Sequence, residues 1–162
     1  MLQDLKRDVI NGKRTLADAI TAALPIFRNR IAEPKISFLV NEYQGYQTNA
    51  LDFYKRRTQE YPSYRIVDGQ MKLMVAGTGE LADVRHPLAR ESQLFVSAPI
   101  AWLEESAQLG IDPTMVEMGE LGKMPNGFIV CVTSRTSVER IVEVVKQSLL
   151  SFIDEAENSE TK

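Results

Sequence analysis

Two charged side chains, Glu42 and Arg65, stand in settings that suggest a specific interaction. Glu42 follows Phe38 by four positions in a helix-like segment, so the carboxylate shares a helix face with an aromatic ring. A carboxylate on such a face is partly buried and needs a partner. Arg65 opens a strand-like segment and offers the planar, multiply donating group that suits a carboxylate. We therefore predict an ion pair between Glu42 and Arg65 that organises the fold and is not a reaction centre.

The alternative chemistry is an anion-binding site on Arg65 and Lys72. An Asp68-Gly69 pair separates strand-like runs over 64–67 and 70–75, which is typical of a two-residue β-hairpin. That register places Arg65 opposite Lys72, and two opposed cations repel unless an anion lies between them. The candidate binding residues are Glu42, Tyr46, Tyr64, Arg65 and Lys72.

Other reactive side chains are scarce in this 162-residue sequence. It contains one histidine, His86, and one cysteine, Cys131. These counts exclude an internal disulfide, a Cys-cluster zinc site and every motif that needs two histidines. Cys131 lies in a continuous apolar run over 128–132, which favours an inert buried thiol. We expect no metal, no cofactor and no catalytic residue.

The hydrophobic periodicity changes along the chain and indicates the fold class. Apolar residues recur at helical spacing over 2–10, over 16–31 after a cap at Thr15, and over 34–44. Strand-like runs follow, and a long amphipathic helix closes the sequence at about Ala156. The pattern predicts an α+β fold with N-terminal helices, a small and mostly antiparallel sheet containing the 64–75 hairpin, and a long C-terminal helix. We assign a single domain to 1–156 and a flexible acidic tail to 157–162.

Charge and hydropathy restrict the partners. Residues 1–60 carry ten Lys/Arg and seven Asp/Glu, residues 61–162 carry nine and fifteen, and the net charge is −3. The sequence pI of about 5.3 is unlike that of a dedicated nucleic-acid binder, despite the basic run Lys55-Arg56-Arg57. No apolar run reaches the ~20 residues of a membrane span, and the first residues do not resemble a secretory signal. We expect a cytoplasmic protein that does not bind membranes.

Several large apolar side chains could lie in the core or at an interface. We place Trp102 in the core because Ile100 and Leu103 are its helical neighbours, with an interface anchor as the alternative. Tyr43 and Tyr46 are likewise assigned to a core aromatic strip. The C-terminal helix carries more apolar side chains, Val145 and Leu149 among them, than a thin sheet would cover. A protein partner or a homo-oligomer is therefore expected.

The same residues resemble those of a known family, the AbiTii domain, which is associated with bacterial abortive-infection defence against phage. The match includes Asn41, Glu42, Gly45, Tyr46, Pro62, Tyr64, Arg65 and Gly69. The sequence departs from the family pattern at Phe38, where tryptophan is usual, and at Tyr43, where leucine is usual. The resemblance implies a component of an anti-phage system and supplies no catalytic residues.

Three functions remain open at this point. The scarcity of catalytic groups favours a non-enzymatic binding or regulatory module. The first alternative is a toxin enzyme, hydrolase-like or nuclease-like, that uses Glu42 and Arg65 together with His86. The second alternative is a nucleic-acid-binding regulator that uses Lys55-Arg56-Arg57.

Overall fold

Helices pack on one antiparallel sheet in the computed structural model, which describes residues 1–46, 62–84, 92–117 and 123–160. The helices are α1 (Leu2–Ile10), α2 (Leu16–Phe27), α3 (Glu33–Gln44), α4 (Ile100–Gln108) and α5 (Arg135–Glu160), with a single 3-10 turn at Ser63–Arg65. The strands are β1 (Ile66–Val75), β2 (Leu81–Asp83), β3 (Gln93–Phe95), β4 (Thr114–Glu117), β5 (Lys123–Met124) and β6 (Gly127–Thr133).

The sheet is antiparallel at every described pairing, in the order β2-β1-β6-β4. β3 extends the sheet beside the first residues of β1, and β5 pairs with the start of β6. β1 and β2 form a hairpin, closed where the Val75 N–H donates to the Glu80 carbonyl at 2.9 Å. The predicted α+β class, with an antiparallel sheet and a long C-terminal helix, is confirmed.

α5 is the centre of the helical layer. α1, α2 and α4 all contact it, and each of its inward-facing side chains is fully buried: Val138, Ile141, Val145, Leu149, Ile153 and Ala156. The expectation that this helix keeps an uncovered apolar stripe is therefore wrong. The other helices, and not the sheet alone, cover it. The helix also continues to Glu160, past the predicted end at Ala156.

A local cap and one long-range contact fix the start of α2. Thr15 caps α2 as predicted, because its Oγ1 accepts the Asp18 N–H at 3.2 Å. The Glu104 carboxylate of α4 accepts the Leu16 N–H at 2.8 Å and so satisfies a second free donor of the same helix end. These contacts hold α2 against α4.

One row of side chains joins the sheet to the helices. Met71, Cys131 and Val116 lie opposite one another on β1, β6 and β4, and all three are buried in the core. Burial raises the pKa of the Cys131 thiol to about 12, which keeps it protonated and unreactive. The prediction of a buried core thiol is confirmed.

The predicted turn at Asp68-Gly69 is wrong, because β1 runs without interruption through both residues. Asp68 pairs with Gln93 of β3, and Gly69 pairs with Thr133 of β6. A Cβ on Gly69 would lie 2.8 Å from the Val132 carbonyl oxygen. The glycine thus permits the close approach of β6 and does not serve a turn.

In the part of the chain that the structure describes, no helix is both long enough and apolar enough to cross a membrane.

Hydrogen exchange distinguishes a continuous β1 from a hairpin at Asp68-Gly69. The Gly69 N–H donates to the Ser92 carbonyl at 2.9 Å, whereas the central amides of a two-residue turn exchange readily. We expect the Gly69 amide to exchange at least ~100-fold more slowly than the amide of Thr78, which lies in the β1–β2 turn. Equal exchange rates of these two amides, measured by NMR, would contradict the continuous strand.

Candidate functional site

Four side chains from two separate parts of the chain meet beside the helical layer. Glu42 comes from the last turn of α3, and Tyr46 follows the end of that helix. Tyr64 and Arg65 come from the 3-10 turn that leads into β1. We call Glu42, Tyr46, Tyr64 and Arg65 the Glu42–Arg65 cluster.

The predicted ion pair between Glu42 and Arg65 is present at the centre of this cluster. Both side chains have no solvent-exposed surface. The Arg65 Nε lies 3.0 Å from Glu42 Oε2 and 3.3 Å from Oε1, and the Arg65 Nη2 also donates to Oε2. Two neighbouring donors of a planar guanidinium therefore bind one carboxylate, an arrangement that the flexible ammonium of lysine cannot reproduce.

The third guanidinium nitrogen, Nη1, donates to backbone carbonyls. Arg65 Nη1 donates to the carbonyl oxygens of Val96, at 2.7 Å, and Ala98, at 2.8 Å. The Arg65 carbonyl in turn accepts the Val96 N–H at 2.9 Å. Arg65 thereby ties α3 and the start of β1 to the segment between β3 and α4.

Two phenols complete the coordination of the carboxylate. The hydroxyls of Tyr46 and Tyr64 both donate to Glu42 Oε1, that of Tyr46 at 3.0 Å. The Tyr46 ring also lies over the guanidinium, 4.9 Å from Arg65 Cζ to the ring centroid. Burial, and secondarily the Glu42 charge, raise the pKa of Tyr46, so its hydroxyl remains a donor.

The cluster is closed with respect to hydrogen bonding. Among the described residues, every buried side-chain nitrogen or oxygen has a hydrogen-bond partner. A buried charge pair is tolerated under this condition, because partners within the protein replace the lost water.

Gly45 allows the end of α3 to approach the segment that Arg65 binds. Its φ is +84°, and a Cβ there would lie 2.9 Å from the Ser97 carbonyl oxygen and 3.0 Å from Pro99. The same Ser97 carbonyl accepts the Tyr46 N–H at 2.8 Å. A side chain at position 45 would push Tyr46 out of the cluster.

Aromatic contacts extend from the cluster into the core. The Tyr64 ring packs on Phe38, which meets Phe152 of α5 edge to face at 6.0 Å. The Tyr46 ring meets Phe95 of β3 at 5.6 Å. Tyr43, by contrast, is 46% exposed, so its assignment to the core aromatic strip is wrong.

Lys72 does not belong to the cluster. Its Nζ lies 2.6 Å from Asp83 Oδ1 in a solvent-exposed pair between β1 and β2. The predicted opposition of Arg65 and Lys72 is wrong because it depended on a turn at Asp68-Gly69. In the continuous strand, Lys72 pairs with Val130 and Asp83.

Trp102 is 43% exposed, so its core assignment is also wrong. Ile100 and Leu103 face the core, and Trp102 is directed away from them. His86 and Lys55-Arg56-Arg57 lie outside the described residues. Within the described ranges, no group of three or more His, Cys, Asp or Glu side chains is placed to hold a metal ion.

The backbone contribution to the cluster could not be predicted from the side-chain types. The carbonyls of Val96 and Ala98 accept two of the five N–H donors of the guanidinium, but a backbone acceptor has no signature in side-chain identity. The only local signal was Pro99, which favours an extended conformation in the residue before it.

The chain was compared with protein-family models, curated proteins and solved structures, and no match was found.

Substitution of Gly45 tests the close approach of the end of α3 to Ser97 and Pro99. Substitution of Gly12 is the matched control. Both glycines have positive φ, +84° and +68°, but the space around Gly12 is open. Gly12→Ala should cost about 1 kcal/mol of unfolding free energy through backbone strain alone. Gly45→Ala should cost a further ~1–3 kcal/mol from the clash with Ser97 and Pro99.

Urea denaturation of the two variants measures this difference directly. If Gly45→Ala and Gly12→Ala destabilise the protein equally, the crowding at Gly45 has no energetic consequence.

Proposed function

We propose that this protein is a non-enzymatic binding or regulatory component of a bacterial anti-phage defence system, of the abortive-infection type, acting in the cytoplasm. The proposal combines the AbiTii resemblance of the sequence with the closed geometry of the Glu42–Arg65 cluster.

Six of the eight residues of the resemblance have structural roles in this fold. Glu42, Tyr46, Tyr64 and Arg65 bind one another. Gly45 and Gly69 each stand where a Cβ would meet backbone oxygen within 3 Å. A motif with this distribution is a signature of a fold and need not mark an active site.

The observation that carries the non-enzymatic proposal is the burial of Glu42 and Arg65. A catalytic group must touch the substrate, and these two side chains have no exposed surface. Arg65 donates its hydrogen bonds to Glu42 and to two carbonyls, so its charge is compensated by groups of the protein itself. This geometry favours a binding module over a toxin enzyme that uses the pair.

The nucleic-acid alternative has less support. The acidic pI opposes binding to a polyanion, and the basic run Lys55-Arg56-Arg57 lies outside the described residues. A protein partner agrees better with the apolar side chains exposed on α4, Trp102 and Leu109.

Phage challenge tests the proposal. The gene would be expressed with its neighbouring genes in a phage-sensitive bacterium, and the efficiency of plaquing would be measured beside growth without phage. We expect protection from phage, and no growth arrest when this chain is expressed alone. Absence of protection with the full set of neighbours would overturn the assignment to defence.

Glu42→Gln separates a structural from a catalytic role of the pair. The substitution leaves the Arg65 charge buried without a counter-charge, which should cost about 3–5 kcal/mol of stability. Protection should then fail at the normal growth temperature and return at a lower one, in step with the amount of folded protein. Exposed Glu80→Gln, in the β1–β2 turn, is the control and should change neither the stability nor the protection.

A folded Glu42→Gln protein that gives no protection at either temperature would instead favour the enzyme.

A further inference from the structure

The described surface carries an exposed apolar stripe on α4. Trp102 is 43% exposed and Leu109, the residue that caps the helix, is 64% exposed. They are seven positions apart, so they lie on the same face about 10 Å apart along the axis. Ile111, two residues after Leu109, is 52% exposed. Monomeric proteins rarely leave side chains of this size exposed together without a binding role.

An acidic side chain lies within the stripe. Glu105 is exposed and lies on the same stripe, three residues after Trp102 and four before Leu109. Arg135, whose guanidinium lies near Gly110 at the end of α4, is held by Glu139 at 2.9 Å and by the Ala107 carbonyl. The stripe therefore offers apolar contact beside an exposed carboxylate.

We propose that the stripe Trp102–Glu105–Leu109 docks an amphipathic segment of a partner protein that carries Lys or Arg beside its apolar side chains. This inference rests on the proposed function as a binding module and names the chemistry of the partner.

Complementarity of charge and width selects this occupant. A stripe two helical turns long matches the apolar face of a single helix or short extended segment, with tryptophan as the anchor. A second copy placed symmetrically on the stripe would bring Glu105 against Glu105, and like charges across an interface oppose association. An anionic membrane or a nucleic acid would be repelled for the same reason.

Trp102 reports on its own surface, because it is the only tryptophan of the sequence. The probe is a synthetic ~18-residue peptide of Leu and Lys patterned as an amphipathic helix. The control peptides are a Leu/Glu peptide with the same pattern and a Leu/Lys peptide with the pattern scrambled. We expect the patterned Leu/Lys peptide alone to shift the Trp102 emission to shorter wavelength in a saturable manner.

Matched variants separate docking from general attraction. Leu109→Ser should weaken binding of the Leu/Lys peptide at least ~10-fold, whereas Ile10→Ser, at a 52% exposed site on α1, should leave it unchanged. Glu105→Lys should also weaken it and should favour the Leu/Glu peptide. Glu80→Lys, at an exposed site in the β1–β2 turn, is the charge control and should do neither.

Three results would overturn the proposal. They are an unshifted Trp102 emission, equal losses in Ile10→Ser and Leu109→Ser, and a wild-type dimer by sedimentation that Leu109→Ser dissociates. The last result would assign the stripe to a second copy of the chain.

Phage challenge keeps this inference distinct from the proposed function. If the wild-type protein protects from phage while peptide binding does not depend on Leu109, the docking surface is wrong and the function stands. If the peptide binds as expected but no protection occurs, the docking surface stands and the assignment to defence fails.

Discussion

A buried charge must be compensated within the protein, and this requirement organises the fold around Arg65. Removing an ion from water costs several kcal/mol even after relaxation, so an incomplete set of partners would destabilise the native state. Arg65 meets the requirement with the Glu42 carboxylate on one side and the carbonyls of Val96 and Ala98 on the other. The contacts come from three separate stretches of sequence, so the pair can form only when these stretches are assembled.

The neighbouring structure follows from this assembly. α3 must end where Glu42 reaches the guanidinium, and Gly45 lets the chain pass the Ser97 carbonyl closely enough for Tyr46 to complete the carboxylate's partners. Tyr64 and Phe38 then connect the cluster to Phe152 on α5, the helix that the others surround. The cluster thus joins the helical layer to the first strand of the sheet. The same closure removes the pair from contact with any substrate, which is the basis for proposing a binding module.

Local sequence patterns were sufficient to predict most of the helical part of this fold. The extents of α1 and α3, the Thr15 cap and the long C-terminal helix each depend on contacts between residues near in sequence, which local patterns encode. The Glu42–Arg65 pair was also predictable, because a carboxylate on an apolar helix face requires a cation. The predicted turn at Asp68-Gly69 was wrong because contacts between residues distant in sequence decide the structure there. Asp-Gly favours a hairpin locally, but here tertiary crowding by β6 is what requires the glycine. The core assignment of Trp102 was wrong because size and hydrophobicity do not distinguish a core side chain from an exposed one.

A double-mutant cycle on the pair tests the central claim most directly. Glu42→Gln and Arg65→Met would be measured singly and together by urea denaturation. If the two charges stabilise each other in a site without water, each single variant should lose about 3–5 kcal/mol. The double variant should then lose at least ~2 kcal/mol less than the sum of the single losses. Losses that add within ~0.5 kcal/mol would show that the two side chains act independently, and would contradict the account of a fold organised by their pairing.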